Sequence, residues 1–183
     1  MEGKWSPVMA LALSHRKGES TKVDILSSDN LKLMDETVAE VFGMMLGIPV
    51  AKGEHTDAAP PTQEHDDRTA LVGFAGTMSG VCEVHLSMAA SLAVTSAMMD
   101  GATVDEESDA ICDAVGELCN MLAGGWKNRL PGTVSQCALS LPTVVAGKSY
   151  QLHRKANLLV NRRSYLFGEH ILKLTLAYDP SRS

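Results

Sequence analysis

Glu117 and Asn120 stand three residues apart in a stretch that reads as helix, from Asp113 through Met121 to Gly124. At that spacing two side chains are surface neighbours, with Cβ atoms about 5–6 Å apart. A carboxylate can pair with a lysine or arginine of a partner and set a docking register. A carboxamide carries both a donor and an acceptor, so it can hold a water molecule in line with an electrophile. It is neither a general base at neutral pH nor a nucleophile. The chemistry that suits such a pair is hydrolysis of a bond already activated, where water needs orienting. Phosphoryl transfer is of this kind, and a side-chain amide can orient the attacking water there.

A helix turns about 100° per residue. With Leu118 at the centre, Ile111, Ala114, Val115, Met121, Leu122 and Trp126 fall within roughly 80° and make one broad apolar face. Asp113, Glu117, Asn120 and Gly124 share a flank roughly 100–160° away. A glycine inside a helix costs about 1 kcal/mol relative to alanine, so Gly124 invites a packing or docking reason. Glu117 and Asn120 are the candidate catalytic residues, and Asp113, Gly124 and Lys127 the candidate partner-binding ones. The helix that carries them is expected from Asp105 to Asn128. Thr103 and Glu106 have the spacing of a capping box, Lys127 and Arg129 favour the negative C-terminal end, and Pro131-Gly132 stops it.

The other elements follow from the same kind of reading. Ser27-Ser28-Asp29 caps a helix over Leu31 to Leu46, ended by Gly47 and Pro49. Residues 53–68 are acidic and contain proline, which predicts a loop. Thr69–Met78 and Val81–Leu86 read as a hairpin, and Ser87 caps Met88–Met99, apolar nearly all round and therefore buried or in an interface. Strands are expected at Gln136–Leu141, Thr143–Val145, Tyr150–His153, Asn157–Asn161, Ser164–Phe167 and His170–Tyr178. Residues 1–22 read as a poorly ordered extension ahead of a domain over 23–183.

Within that domain the text repeats itself. Glu36 to Gly47 aligns without gaps on Asp113 to Gly124, so that Glu40 falls on Glu117 and Gly43 on Asn120. Val81–Leu86 aligns on Ile171–Leu176, both strands carrying polar residues (Glu83 and His85; Lys173 and Thr175) on alternate positions. The repeats span about 29–100 and 103–179.

A chain of 183 residues, 45% apolar and 21% charged, is a globular protein large enough to bury a core. A net charge of −6 argues against nucleic acid as partner. Cys82, Cys112, Cys119 and Cys137 form no CxxC pair and read as free thiols of a cytoplasmic protein. The apolar run Val8–Leu13 is too short for a membrane span and has the wrong flanks for a signal peptide.

The Asp113–Gly124 block, followed by Leu141-Pro142-Thr143-Val144-Val145-Ala146-Gly147, resembles the signature of the CheX/CheC chemotaxis phosphatase family. That signature is an ExxNM(I/L)xG helix, then Leu-Pro-Thr with two β-branched residues and a glycine. The likeness runs from about Leu31 to Tyr178, strong in these two blocks and loose elsewhere. It implies an α+β fold, a two-layer pseudo-repeat with long helices packed on a large, mostly antiparallel sheet. It also implies a phosphorylated CheY-like response regulator as substrate. Glu117 would grip a lysine of the regulator, Asn120 would position water on its aspartyl phosphate, and Mg2+ would sit in the regulator, with no cofactor in this chain. Members of the CheC type keep the Glu/Asn pair in both repeats; Gly43 leaves the first copy here without an amide, which points to the single-site CheX type.

Two other classes compete with this reading. A non-catalytic module docking on a regulator or flagellar-switch component has little need for the amide of Asn120. A metal- or thiol-dependent enzyme lacks a cluster spacing, since His15, His55, His65, His85, His153 and His170 are far apart. The late strands from Ala156 to Tyr178 lack an obvious covering element, so a homodimer with a sheet running across its interface is expected.

Overall fold

A computed structural model of the chain describes residues 25–53, 66–148, 150, 152–153 and 157–182. The expected extension over 1–22 lies outside them, as does most of the acidic loop. Three α-helices pack on a large antiparallel sheet, the α+β architecture expected.

Helix α1 (Ser28–Glu40) opens with the Ser27 side chain accepting from the Asn30 amide at 3.4 Å. It continues into a five-residue π-helical turn, Val41–Met45, rather than running as regular helix to Leu46. Gly47, at φ +66°, turns the chain out, a left-handed conformation that glycine adopts without steric penalty. Strand β1 (Ala51–Lys52) follows. Strand β2 (Asp66–Ala75) begins earlier than the loop reading allowed, because Asp67 and Arg68 pair with strands on both sides and Asp66 pairs with Lys148. Strand β3 (Gly80–Ser87) leads into α2 (Met88–Met98), where Ser87 accepts from the Ala90 amide at 3.2 Å.

Helix α3 (Ala110–Arg129) starts five residues later than expected, and Thr103 and Glu106 form no capping box. The side chain of Asp105 accepts from the Glu107 amide at 2.9 Å and Ser108 Oγ from the Ala110 amide at 3.3 Å. These local bonds satisfy the backbone in turns, in competition with helix. A 3₁₀ turn (Gly132–Gln136) replaces the start of the expected 136–141 strand, leaving only β4 (Ala138–Leu139) before β5 (Thr143–Lys148). Tyr150, Leu152 and His153 lie outside any strand. The two strands expected within 157–167 are one, β6 (Leu159–Phe167), which turns at Gly168 into β7 (His170–Tyr178).

The sheet order is β1-β6-β7-β3-β2-β4, with β5 also on β2, every ladder antiparallel. Its centre is the β3–β7 pair, where Val84 stands opposite Leu174, Glu83 opposite Thr175 and His85 opposite Lys173. Alternation therefore sends Cys82, Val84, Leu86, Leu172, Leu174 and Leu176 into the core and the polar four to the opposite face. The short strand after α1 pairs with β6, and the short strands after α3 pair with β2, so each half lends an edge to the other's hairpin.

Aromatic contacts seat the helices on the sheet: Phe42 against Phe167 at 5.1 Å and Trp126 against Phe74 at 5.7 Å between centroids. Trp126 Nε1 donates to the Asn30 carbonyl at 2.9 Å, tying the end of α3 to the start of α1.

Candidate functional site

Burial of the α3 surface is wider than its apolar residues alone predicted. Ile111, Ala114, Val115, Leu118, Leu122 and Trp126 are buried as expected, while Met121 is half-buried. Gly116, Cys119 and Ala123 are buried as well, so Cys119 lies inside the core. Its thiol points at the carbonyls of Ala70 and Cys82, at 3.6 and 3.5 Å. Hydrogen bonding with Cys119, with burial behind it, holds the Cys82 thiol well above its ordinary pKa. Burial likewise raises Cys137, against the pull of nearby Lys127. A thiol kept protonated is a weak nucleophile, and these residues act as packing.

What remains open on α3 is a narrow flank. Asp113 and Glu117 are exposed, and Asn120, Gly124 and Lys127 are half-exposed. Neither Glu117 nor Asn120 makes a side-chain hydrogen bond or ion pair with another described residue. The amide and the carboxylate therefore sit side by side with their polar atoms uncommitted. Lys127 lies away from this pair, toward Cys137.

Asn120 marks a seam. Leu71 pairs with Thr143 and Phe74 with Leu139, so two residues of β2 face three of the edge strand: Ser140, Leu141 and Pro142. Ser140 bonds Gly73 twice, its amide donating to the Gly73 carbonyl and its Oγ accepting from the Gly73 amide, each at 2.9 Å. Leu141 and Pro142 are thus a β-bulge opposite Val72. Proline suits the place because an edge strand has no use for its missing N–H. The bulge abuts α3: a Cβ on Gly116 would lie 3.3 Å from Val144 Cγ2 and 3.5 Å from Pro142. One on Gly124 would lie 3.7 Å from Leu139 Cδ1. Midway between Gly116 and Gly124 along the helix is Asn120, and midway between Leu139 and Pro142 is the Ser140–Leu141 step.

These contacts redistribute the roles of the glycines. Gly124 is in ordinary van der Waals range of Leu139 and is not required by packing. The demanding positions are Gly116, against the bulge, and Gly125, where a Cβ would come within 2.7 Å of Thr37 Cγ2 on α1. Sequence reading missed both, because the need for glycine arises from a neighbour distant in the chain.

The aligned pair on α1 is arranged differently. Glu40 is ion-paired with Arg129, which also donates to the Gly125 carbonyl at 2.9 Å. Gly43, in the place of Asn120, sits in the π-helical turn beside exposed Met44 and Met45. One turn earlier, Asp35 accepts from Arg163 Nε at 2.8 Å, Arg163 Nη2 at 2.6 Å, the Tyr165 hydroxyl at 2.7 Å and Lys52 Nζ at 3.0 Å. Burial alone would raise the Asp35 pKa. The hydrogen bonds from Arg163, Tyr165 and Lys52 outweigh it and hold the carboxylate below its usual range. Asp35 and Glu40 are thus committed to contacts within the protein.

Among the described residues no three of His, Cys, Asp and Glu come together as a metal-binding group, and no helix is long and apolar enough to cross a membrane. His15, His55 and His65 lie outside the described residues.

Comparison with known proteins bears on the same region. The family model for chemotaxis phosphatase CheX matches residues 68–160, which include Glu117, Asn120 and the bulge. A CheY-P phosphatase CheX of Thermotoga maritima is 28% identical over 116 residues, 63% of this chain and 74% of that protein. A CheC-like superfamily protein of Shewanella sp. PV-4 superimposes with a TM-score of 0.70 at 19% identity, over 84% of this chain and 99% of that one. A CheX solved in complex with CheY, BeF3 and Mg2+, from Borrelia burgdorferi, gives 0.66 at 16% identity, over 82% and 98%.

Proposed function

The chain belongs to the chemotaxis phosphatase CheX family, and on that footing we propose that it hydrolyses the aspartyl phosphate of a CheY-like response regulator. The observation that carries the reading is the uncommitted amide of Asn120, beside the uncommitted carboxylate of Glu117, on an exposed flank of a rigid helix. The name of the T. maritima relative and the composition of the B. burgdorferi complex support the substrate class.

In this reading Glu117 pairs with a lysine of the regulator and fixes the approach. Asn120 enters the regulator's active site and orients a water there. The water oxygen bonds to phosphorus as the bond to the aspartyl oxygen breaks; the carboxylate leaves as an anion and the water's proton ends on inorganic phosphate. The regulator supplies the magnesium, and this chain supplies position. Glu40 and Gly43 form a silent copy, the one carboxylate ion-paired and the other position lacking an amide. Asp113 and Gly124 fall within the docking surface; Lys127 lies toward its edge. The protein acts as a homodimer in the cytoplasm, the outer edge of β6 joining two sheets.

The test is release of inorganic phosphate from phosphorylated response regulators of the same genome. Wild-type protein accelerates loss of label from at least one of them, and no acceleration of any would refute the activity. Glu117→Ala raises KM about fivefold or more, and that penalty shrinks at high salt as screening weakens the ion pair.

A further inference from the structure

Leu141 is 88% exposed, the most exposed of the large apolar side chains among the described residues. A lone leucine on a surface needs no explanation. This one stands on a bulge, a device that re-aims a side chain, and the bulge is fastened on both sides. Ser140 clamps it to Gly73, its Oγ also donating to the Leu141 carbonyl at 2.8 Å. Pro142 packs against the bare face of Gly116, one turn of α3 from Asn120. The corresponding place on the far edge of the sheet is differently used: Lys52, opposite Tyr165, reaches back to Asp35 on α1.

We propose that Leu141 is the apolar anchor of the docking surface: a regulator that admits Asn120 to its phosphoaspartate buries Leu141 in an apolar depression beside that site. This rests on the phosphatase reading. A partner whose reacting atoms reach Asn120 covers the surroundings too, since a specific interface takes up about 800 Å² on each side. The contacts of Gly116 with Pro142 and of Gly124 with Leu139 bracket Asn120 along the helix and Leu141 along the strand, which puts both within one such footprint. The flank beside it is polar and acidic, from Asp113 and Glu117, so Leu141, with exposed Pro142 behind it, is the large apolar contact that the footprint offers. Exposed charge sets approach and register, whereas affinity concentrates in a central apolar group that becomes desolvated. Selection among regulators then depends on two features: a basic residue for Glu117 and an apolar depression for Leu141.

The experiment is steady-state hydrolysis with one phosphorylated regulator as substrate, comparing wild type, Leu141→Asp, Leu141→Met and Asn120→Ala. Burying one leucine corresponds to about tenfold or more in affinity. Leu141→Asp therefore raises KM by about tenfold or more with kcat within about twofold of wild type, and Leu141→Met restores KM to within about threefold. Asn120→Ala does the reverse, losing kcat at unchanged KM. Circular dichroism melts and light scattering on each variant check fold and oligomeric state. A Leu141→Asp protein with wild-type KM overturns the inference and leaves the phosphatase reading standing. So does one whose only change is its oligomeric state. A wild type that hydrolyses no regulator overturns both.

Discussion

An amide and a carboxylate do different work, and single-atom changes separate them. Asn120→Asp keeps the shape of the side chain but exchanges the donor for a negative charge facing a phosphoryl group. It is expected to be no better than Asn120→Ala, a loss of about 100-fold in kcat if removal of one positioned donor is the guide. Quenched-flow measurement of phosphate release checks this, and an Asp variant retaining most of the rate would mean that the amide does not position the water. The open flank that carries Glu117 and Asn120 was legible in the sequence because it depends on spacing along one helix. The seam beside Asn120 was not. It depends on Pro142 and Val144 closing on Gly116, and nothing in the helix itself announces that contact.

The elements that hold the site offer a sharper contrast between two adjacent glycines. Gly124→Ala gains about 1 kcal/mol of helix propensity and meets only Leu139, so it is expected to raise the melting temperature. Gly125→Ala gains the same propensity but collides with Thr37 Cγ2, and overpacking of this kind costs about 1–3 kcal/mol. Thr37→Ser removes the colliding methyl and should return most of that loss, which thermal melts of the single and double variants measure. If Gly124→Ala is more stable yet docks a regulator less well, the bare surface at that position serves the partner. Helix α1 is fastened by charge instead. The Asp35 carboxylate is held below its unfolded pKa of about 3.9, so its contribution is complete above that value and is lost as pH falls through the folded one. Asp35→Asn leaves Arg163, 6% exposed, without its counter-charge and is expected to lower stability by about 3 kcal/mol at pH 7. The loss between the two proteins should narrow below pH 4, as followed by denaturant titration. Element boundaries were readable where a serine caps a helix, as at Ser27 and Ser87, and not at the start of α3, where Asp105 and Ser108 satisfy the backbone in turns.

At the scale of the whole molecule, the ion-paired residues of α1 sit toward β6 and the open flank of α3 toward β4 and β5. The architecture was legible because polar and apolar residues alternate in the same phase along 81–86 and 171–176, and these strands pair at the centre of the sheet. The pairing of each short edge strand with the opposite half was not legible, since Ala51–Lys52 and Ala138–Leu139 are too short to carry a pattern. Strand β5 covers β2 from Asp66 to Leu71, whereas among the described residues β1 pairs only with Tyr165 and Leu166 of β6. The remaining outer edge of β6, with Leu159 and Val160 partly exposed, is where a second copy would add its strand. Light scattering at micromolar concentration is expected to report a dimer, and Val160→Pro, which removes a backbone donor from that edge, to shift it toward monomer. Activity is expected to survive that shift, because Glu117 and Asn120 lie over the other half of the sheet. The most direct measurement of the central claim is a single-turnover decay of regulator acyl phosphate under saturating protein, wild type against Asn120→Ala. Wild type is expected to strip the phosphoryl group rapidly, and Asn120→Ala to leave decay at the regulator's own slow rate, although that variant still binds. Equal decay with both proteins would rule out a catalytic role for Asn120.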